Sequence, residues 1–254
     1  MSGLVYRKLS LSFAIILTVN LNIRMDRIKL IKFLLSRKKS KHYLEIGVFS
    51  GHVFFKIKST FKVAVDPEFQ FSFFRKLIKT LFNPYNFYNK YFLKTSDQFF
   101  RDNAANVFES KKIDVALIDG MHEYDFALRD VENTLKYLDE DGIIIMHDCN
   151  PLKKEATISF REWQAKGMKG IWNGDTWKTI IHLRSLRKDI SVFVLDCDHG
   201  LGIITKRKPE NMLNFSPEEI SHLTYEQFNE NKNHWINLKN ADYIFEYLQD
   251  AKII

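Results

Sequence analysis

Only two cysteines, Cys149 and Cys197, occur in the 254 residues, and neither belongs to a CxxC pair. Their scarcity excludes a disulfide framework and a cysteine-built zinc site, and it suits a reducing, cytoplasmic setting. No apolar run reaches the ~20 residues that a membrane-spanning helix needs. The nearest approach, LSLSFAIILTV after Arg7-Lys8, is interrupted by Ser10, Ser12 and Thr18. No small-x-small cleavage site follows it, so the signal-peptide reading is disfavoured. Residues 9–21 read instead as a packing element, or as an extension ahead of a second start at Met25, and membrane contact is not expected of them. There is no internal repeat and no linker long enough to divide domains. The net charge of +7 is spread along the chain rather than concentrated. Its one local cluster, Arg37-Lys38-Lys39-Ser40-Lys41, precedes a strand and reads as a solvated helix end. Nucleic-acid binders gather their cations on one face, so no nucleic-acid partner is expected.

What the chain does carry is a strand–helix–strand unit at Ile113–Pro151. Two apolar runs, Val115–Ile118 and Ile143–Met146, stop at Asp119-Gly120 and at His147-Asp148. Between them Tyr124, Ala127, Leu128, Val131, Leu135 and Leu138 recur at helical spacing. Continuously apolar strands are expected in a parallel sheet covered on both faces. A right-handed crossover then puts both carboxyl ends on one edge, where open α/β sheets bind ligands. Asp119, His122, His147 and Asp148 should converge there.

Upstream, Tyr43-Leu44-Glu45-Ile46-Gly47-Val48-Phe49-Ser50-Gly51 reads as a strand breaking at a glycine loop, followed by a helix through about Lys58. Gly47 permits a tight turn and Gly51 a close backbone approach. A second strand, Lys62–Val65, ends in Asp66-Pro67, with an acid placed to accept bonds from a ribose. Residues 69–82 read as helical, Tyr91–Leu93 as a third strand, and Ser96 as the cap of a helix from Asp97. Asp175 in WNGDTWK reads as the cap of a helix to Leu186. Ser191–Leu195 and Leu201–Thr205 read as an antiparallel hairpin, and the tail beyond as short helices. Phe is abundant, with 22 residues, and many of those rings are expected to fill the core.

The E-x-G-x-x-x-G loop with Asp66 resembles motif I of class I S-adenosylmethionine-dependent methyltransferases, although Phe49 stands where the commonest loop has a glycine. The resemblance implies a Rossmann-like α/β fold, a doubly wound and mostly parallel seven-stranded sheet with a terminal antiparallel hairpin. It also implies that Glu45, Gly47, Gly51, Asp66, Ser96 and Asp119 border S-adenosyl-L-methionine. The IDGxHxY…HDxNP pattern is similar to a group that includes the macrocin O-methyltransferase-like enzymes. By that likeness Asp119 and Asp148 bind a divalent metal such as Mg²⁺, and His122 is the general base. Cys149 stands where a second oxygen ligand is expected, and Asn150 is the candidate replacement. His147 is a further catalytic candidate, and Asp175 and Trp177 are candidates for the acceptor site. The expected arrangement is a helical extension over 1–42, a catalytic domain over 43–206 and a helical tail over 207–254.

The expected activity is methylation of a hydroxyl on a small molecule or glycan. A nucleic-acid methyltransferase is the rival enzyme, but Asp119-Gly120-Met121-His122 stands where base amino-group methylation favours an Asp/Asn-Pro-Pro-aromatic motif. A nicotinamide oxidoreductase lacks the terminal hairpin. A non-catalytic nucleotide-binding module is the rival from another class.

Overall fold

Alternation along the strands decides how the sheet is covered. The computed structural model describes residues 25–251. Strands β1 (His42–Ile46), β2 (Phe61–Asp66), β3 (Lys90–Leu93), β4 (Ile113–Ile118) and β5 (Leu138–Met146) run parallel. The pair β6 (Ser191–Leu195) and β7 (Leu201–Thr205) is the antiparallel hairpin, with β7 against β5. A two-residue β8 (Leu238–Lys239) from the tail joins β6 in parallel. The order is β3-β2-β1-β4-β5-β7-β6-β8, one strand more than the sequence suggested, because two residues carry no readable periodicity.

Leu44, Ile46, Ala116, Ile118, Ile144 and Met146 point to one face. Over that face pack α3 (Ser96–Asp102), α4 (Ala104–Phe108), α5 (Tyr124–Tyr137) and α7 (Thr176–Leu186), with α8 (Pro217–His222) and α9 (Tyr225–Trp235) beyond. Tyr43, Val115, Leu117, Ile143 and Ile145 point to the other face, beneath α1 (Arg27–Arg37) and α10 (Tyr243–Asp250). Helix α1 buries Leu30, Ile31, Leu34 and Leu35, a stripe at three- and four-residue steps, and Asp26 caps it by accepting from the Lys29 N–H at 2.9 Å. Both faces being covered is the reason the strands read as continuous apolar runs.

The stretch after Gly51 forms only a 3₁₀ turn, Phe54–Lys56, not a helix through Lys58, because β2 begins too soon after it. Phe54, Phe55 and Ile57 plug that face instead. Nor are the rings of 73–87 core filler: α2 (Phe73–Phe82) buries no residue. After β5 come a 3₁₀ turn, Lys154–Thr157, and α6 (Phe160–Ala165). Among the described residues no helix is long and apolar enough to cross a membrane. Residues 9–21 lie outside the described residues.

Candidate active site

The glycine loop is held against the end of β4. Gly47 takes φ +82°, and a Cβ there would come within 2.0 Å of the Asp119 carbonyl oxygen. No side chain fits between these two strand ends. Gly51 is also left-handed, but an added Cβ would meet the Phe55 ring rather than backbone. Phe49, at the position where the commonest loop has glycine, adopts φ 47° and donates its N–H to Asp66 Oδ2 at 2.7 Å. The other Asp66 oxygen accepts from the Glu68 N–H at 2.7 Å. Asp66 therefore stands fixed at the end of β2 and retains lone pairs for further donors.

Glu45 points beneath α1, where the Tyr43 hydroxyl donates to it at 2.6 Å. Burial pushes its carboxyl up to about 8, with Asp119 adding to the rise and Tyr43, Lys62 and Arg27 opposing it. Ser96 is not the cap: Thr95 caps α3 and forms the capping box with Gln98, leaving Ser96 as the first helical residue. Ser96 instead bonds the carboxyl of Asp130.

On the same edge, the ends of β4 and β5 bring together Asp119, His122, His147 and Asp148. His147 Nδ1 lies 3.1 Å from Asp119 Oδ1 and 3.0 Å from Asp148 Oδ2. His122 Nε2 lies 3.4 Å from Asp119 Oδ1, and its Nδ1 is 3.2 Å from Asp148 Oδ2. His122 Nδ1 also meets the Trp172 carbonyl at 2.9 Å, which places a proton on that nitrogen and leaves Nε2 as the lone-pair end of the neutral ring. Asp148 sits at φ 62°, a left-handed backbone that Asp tolerates better than most residues, and accepts from Asn173 Nδ2 at 2.6 Å.

The charges are mutually dependent. Burial works to raise the Asp119 carboxyl, but His147 and His122 outweigh it and hold it far below the carboxylate range. Burial likewise works to lower both histidines, yet Asp119 and Asp148 lift His122 above its ordinary value, and with Asp198 they push His147 up to about 11.

The ligand atoms of Asp119, His122 and Asp148 all lie within 4.8 Å of one another. That span suits one small cation at ~2.1–2.5 Å from each, and the donors are hard oxygens and an imidazole. Cys149 offers nothing to it, since its thiol is buried and donates to the Met146 carbonyl at 3.2 Å. Asn150 gives its amide N–H to Asp196 at 3.0 Å while its Oδ1 is buried without a partner.

The WNGDTWK segment closes over this cluster. Gly174, at φ +59°, packs so tightly that a Cβ would lie 1.7 Å from the His122 carbonyl oxygen. The Trp172 ring stacks on His122 at 5.0 Å and on Trp163 at 4.9 Å. Asp175 precedes α7 but makes no side-chain cap to it; its carboxylate accepts the Tyr124 N–H at 2.7 Å and so caps α5, the neighbouring helix. Trp177 is packed in the core against Phe228, ring centroids 4.6 Å apart, so it is a core residue and does not line an open acceptor pocket.

Residues 44–149, which span the glycine loop, Asp66 and the acid–histidine cluster, match the family model described as a methyltransferase domain. Over those residues, a little under half of the chain, the sequence is similar to a methyltransferase domain. Solved structures with a similar fold include cofactor-bound Rv0187 from MTB, 8% identical with a TM-score of 0.52 over 73% of this chain and 82% of that one. Another is the O-methyltransferase TomG from Streptomyces achromogenes in complex with SAM, 11% identical with a TM-score of 0.51 over 71% and 79% of the two chains. At such identities the likeness is one of fold. No curated protein matches the chain in sequence.

Two residues of this part of the structure escaped the sequence reading. Arg27, at the start of α1, reaches into the cluster: Nη1 donates to both Asp198 oxygens at 3.1 Å and closely contacts His147 Nε2, while Nε lies 3.6 Å from Asp119 Oδ2. Arg27 thus packs against Nε2 of His147 while Asp119 and Asp148 face its Nδ1. The second is Asp130 on α5, buried with Oδ1 unpartnered and Oδ2 near Gly120. It occupies the buried stripe with Ala127, Val131 and Thr134, so an acid at a core position of the helix was the available signal.

Burial raises the Asp130 carboxyl from 3.8 to about 7, with Ser96 opposing the rise. The folded state therefore holds this proton more tightly than the unfolded chain, and stability falls as pH rises from about 4 to about 7. Asp130→Asn is expected to stabilise the protein above pH 7 by about 2–4 kcal/mol. The gain should vanish below about pH 4. Denaturant unfolding at pH 8 and pH 4 checks it; an equal effect at both would refute the titration.

Proposed function

We propose that the protein transfers the methyl group of S-adenosyl-L-methionine to a hydroxyl oxygen of a small molecule or glycan unit, with His122 as general base and a divalent metal such as Mg²⁺ held by Asp119 and Asp148. The observation supporting this most is the packing of His122, Asp119 and Asp148 within a few ångströms at the sheet edge, next to the glycine loop. The loop at Gly47 and the carboxylate of Asp66 would hold the methionine and ribose parts. The cofactor supplies an electrophilic methyl on a sulfonium, so the protein's task is to orient an oxygen in line and accept its proton.

His122 suits that task. Its Nδ1 proton is directed to the Trp172 carbonyl, and the indole stacked on its face fixes the ring plane. His147, caught between two carboxylates and Arg27, would position Asp119 and Asp148 rather than meet the acceptor. A metal would supply a positive charge beside the acceptor oxygen and lower its pKa. A dication bound there would share Asp119 and Asp148 with the two imidazoles, so its binding would compete with protonation of those rings.

Release of S-adenosylhomocysteine in the presence of a panel of hydroxylated small molecules tests the reading. O-methylated products are expected, with activity falling at least about tenfold in excess chelator and Asp148→Ala reproducing that fall. Methylation confined to nitrogen or to nucleic acid would overturn the acceptor assignment. Undiminished activity in excess chelator would remove the metal.

A further inference from the structure

Helix α2 is built inside out. In globular proteins the apolar stripe of a helix faces the core. Here Phe73, Phe74, Leu77, Ile78, Leu81 and Phe82 are all exposed, Phe73 and Phe74 to 74% and Phe82 to 85%. Lys76, Lys79 and Thr80 are the half-buried residues of the same helix, and Lys76 lies 4.0 Å over the Tyr91 ring. The exposed apolar surface continues into the turn that follows, at Phe87 and Tyr88.

The base beneath this surface is fixed rather than loose. Asn83 Nδ2 donates to the Phe55 and Ile57 carbonyls at 3.0 Å, and Asn86 Nδ2 donates to those of Phe55 and Lys79 at 3.0 Å. Buried Lys62 anchors the Asn86 side chain from below. A contiguous apolar patch on a rigid base marks a surface with a partner.

Charge identifies the partner. From Ser72 to Thr95 the chain has no Asp or Glu and five cations: Arg75 and Lys90 are exposed, Lys76 and Lys79 are half-buried, and Lys94 pairs with Asp102. A second copy docked face to face by a twofold axis would bring like charges together. An anionic bilayer complements both features, since aromatic and leucine side chains enter the headgroup boundary while Lys and Arg meet phosphates. We propose that the surface of α2 and its following turn docks onto an anionic lipid membrane, lying in the interface without spanning it.

The test is co-sedimentation of the full chain with phosphatidylcholine vesicles, with and without phosphatidylglycerol. Binding should require the anionic lipid and weaken in high salt. The variant Phe73→Ser/Phe74→Ser/Phe82→Ser should lose at least about tenfold in affinity without a change in melting temperature, because the three rings are exposed. Arg75→Glu/Lys90→Glu should lose binding while leaving the apolar surface intact. No binding, equal binding to neutral vesicles, or unchanged binding by the triple-serine variant would each overturn the proposal. Wild-type dimers in sedimentation velocity that the serines dissociate, with no vesicle binding, would assign the surface to a second copy instead.

Discussion

Gly47→Ala is expected to lower the melting temperature by about 10 °C or more and to abolish binding of S-adenosylmethionine. The backbone there is left-handed, at φ +82°, which alone disfavours a side chain by ~1–2 kcal/mol. The larger penalty is contact. A methyl group 2.0 Å from the Asp119 carbonyl oxygen cannot be relieved by a rotamer change, because both partners are backbone. Relief requires the ends of β1 and β4 to separate, breaking the Asp119 N–H bond to the Ile46 carbonyl at 2.9 Å. Together these place the substitution among the severe ones, about 4 kcal/mol or more, which converts to that shift for a chain of this size. Gly51→Ala is the matched control. Its added methyl meets the movable Phe55 ring, so its effect should be clearly smaller. Differential scanning calorimetry of the two variants decides the matter, and equal shifts would contradict the account of the loop.

His122→Ala should lower turnover by ~10²–10⁴-fold, the usual range for a lost general base, while cofactor affinity stays within about threefold. The imidazole is held by the Trp172 carbonyl, the Trp172 ring and two carboxylates, of which only Asp119 adjoins the glycine loop, through its backbone. If His122 is the base, its removal subtracts proton transfer and leaves the Gly47–Asp66 side intact. The corresponding His147→Ala should damage the site differently. Asp119, Asp148 and Asp198 would lose a shared positive partner, so metal dependence and pH profile should shift along with rate. Steady-state kinetics with parallel cofactor titration separate the two. Unimpaired turnover in His122→Ala would exclude the base role.

The strand ends were legible because apolar runs that stop at Asp119 and at His147-Asp148 carry their own punctuation, and parallel pairing puts the stops on one edge. The hairpin was equally plain, its bounds Ser191–Leu195 and Leu201–Thr205 being those of β6 and β7. What local pattern does not encode is contact at long range. Arg27 meets Asp119 and Asp198 across most of the chain, and nothing in the first turn of an amphipathic helix announces that. Asp175 looked like a cap for the helix it precedes, yet tertiary packing lends its carboxylate to Tyr124 on another. The helix expected after Gly51 failed because the connection to Phe61 leaves room for one 3₁₀ turn. The exposure of the α2 phenylalanines was not legible for a different reason: amphipathic spacing reports that a helix has an apolar side, not that the protein itself covers it.

Isothermal titration calorimetry of the purified protein with S-adenosylmethionine and with NAD tests the central claim most directly, that the edge formed by Gly47, Asp66 and Asp119 is a sulfonium-nucleoside site. Saturable heat with S-adenosylmethionine, none with NAD, and loss of that heat in Gly47→Ala is the predicted result. Preference for NAD, or S-adenosylmethionine binding that Gly47→Ala leaves unchanged, would contradict it.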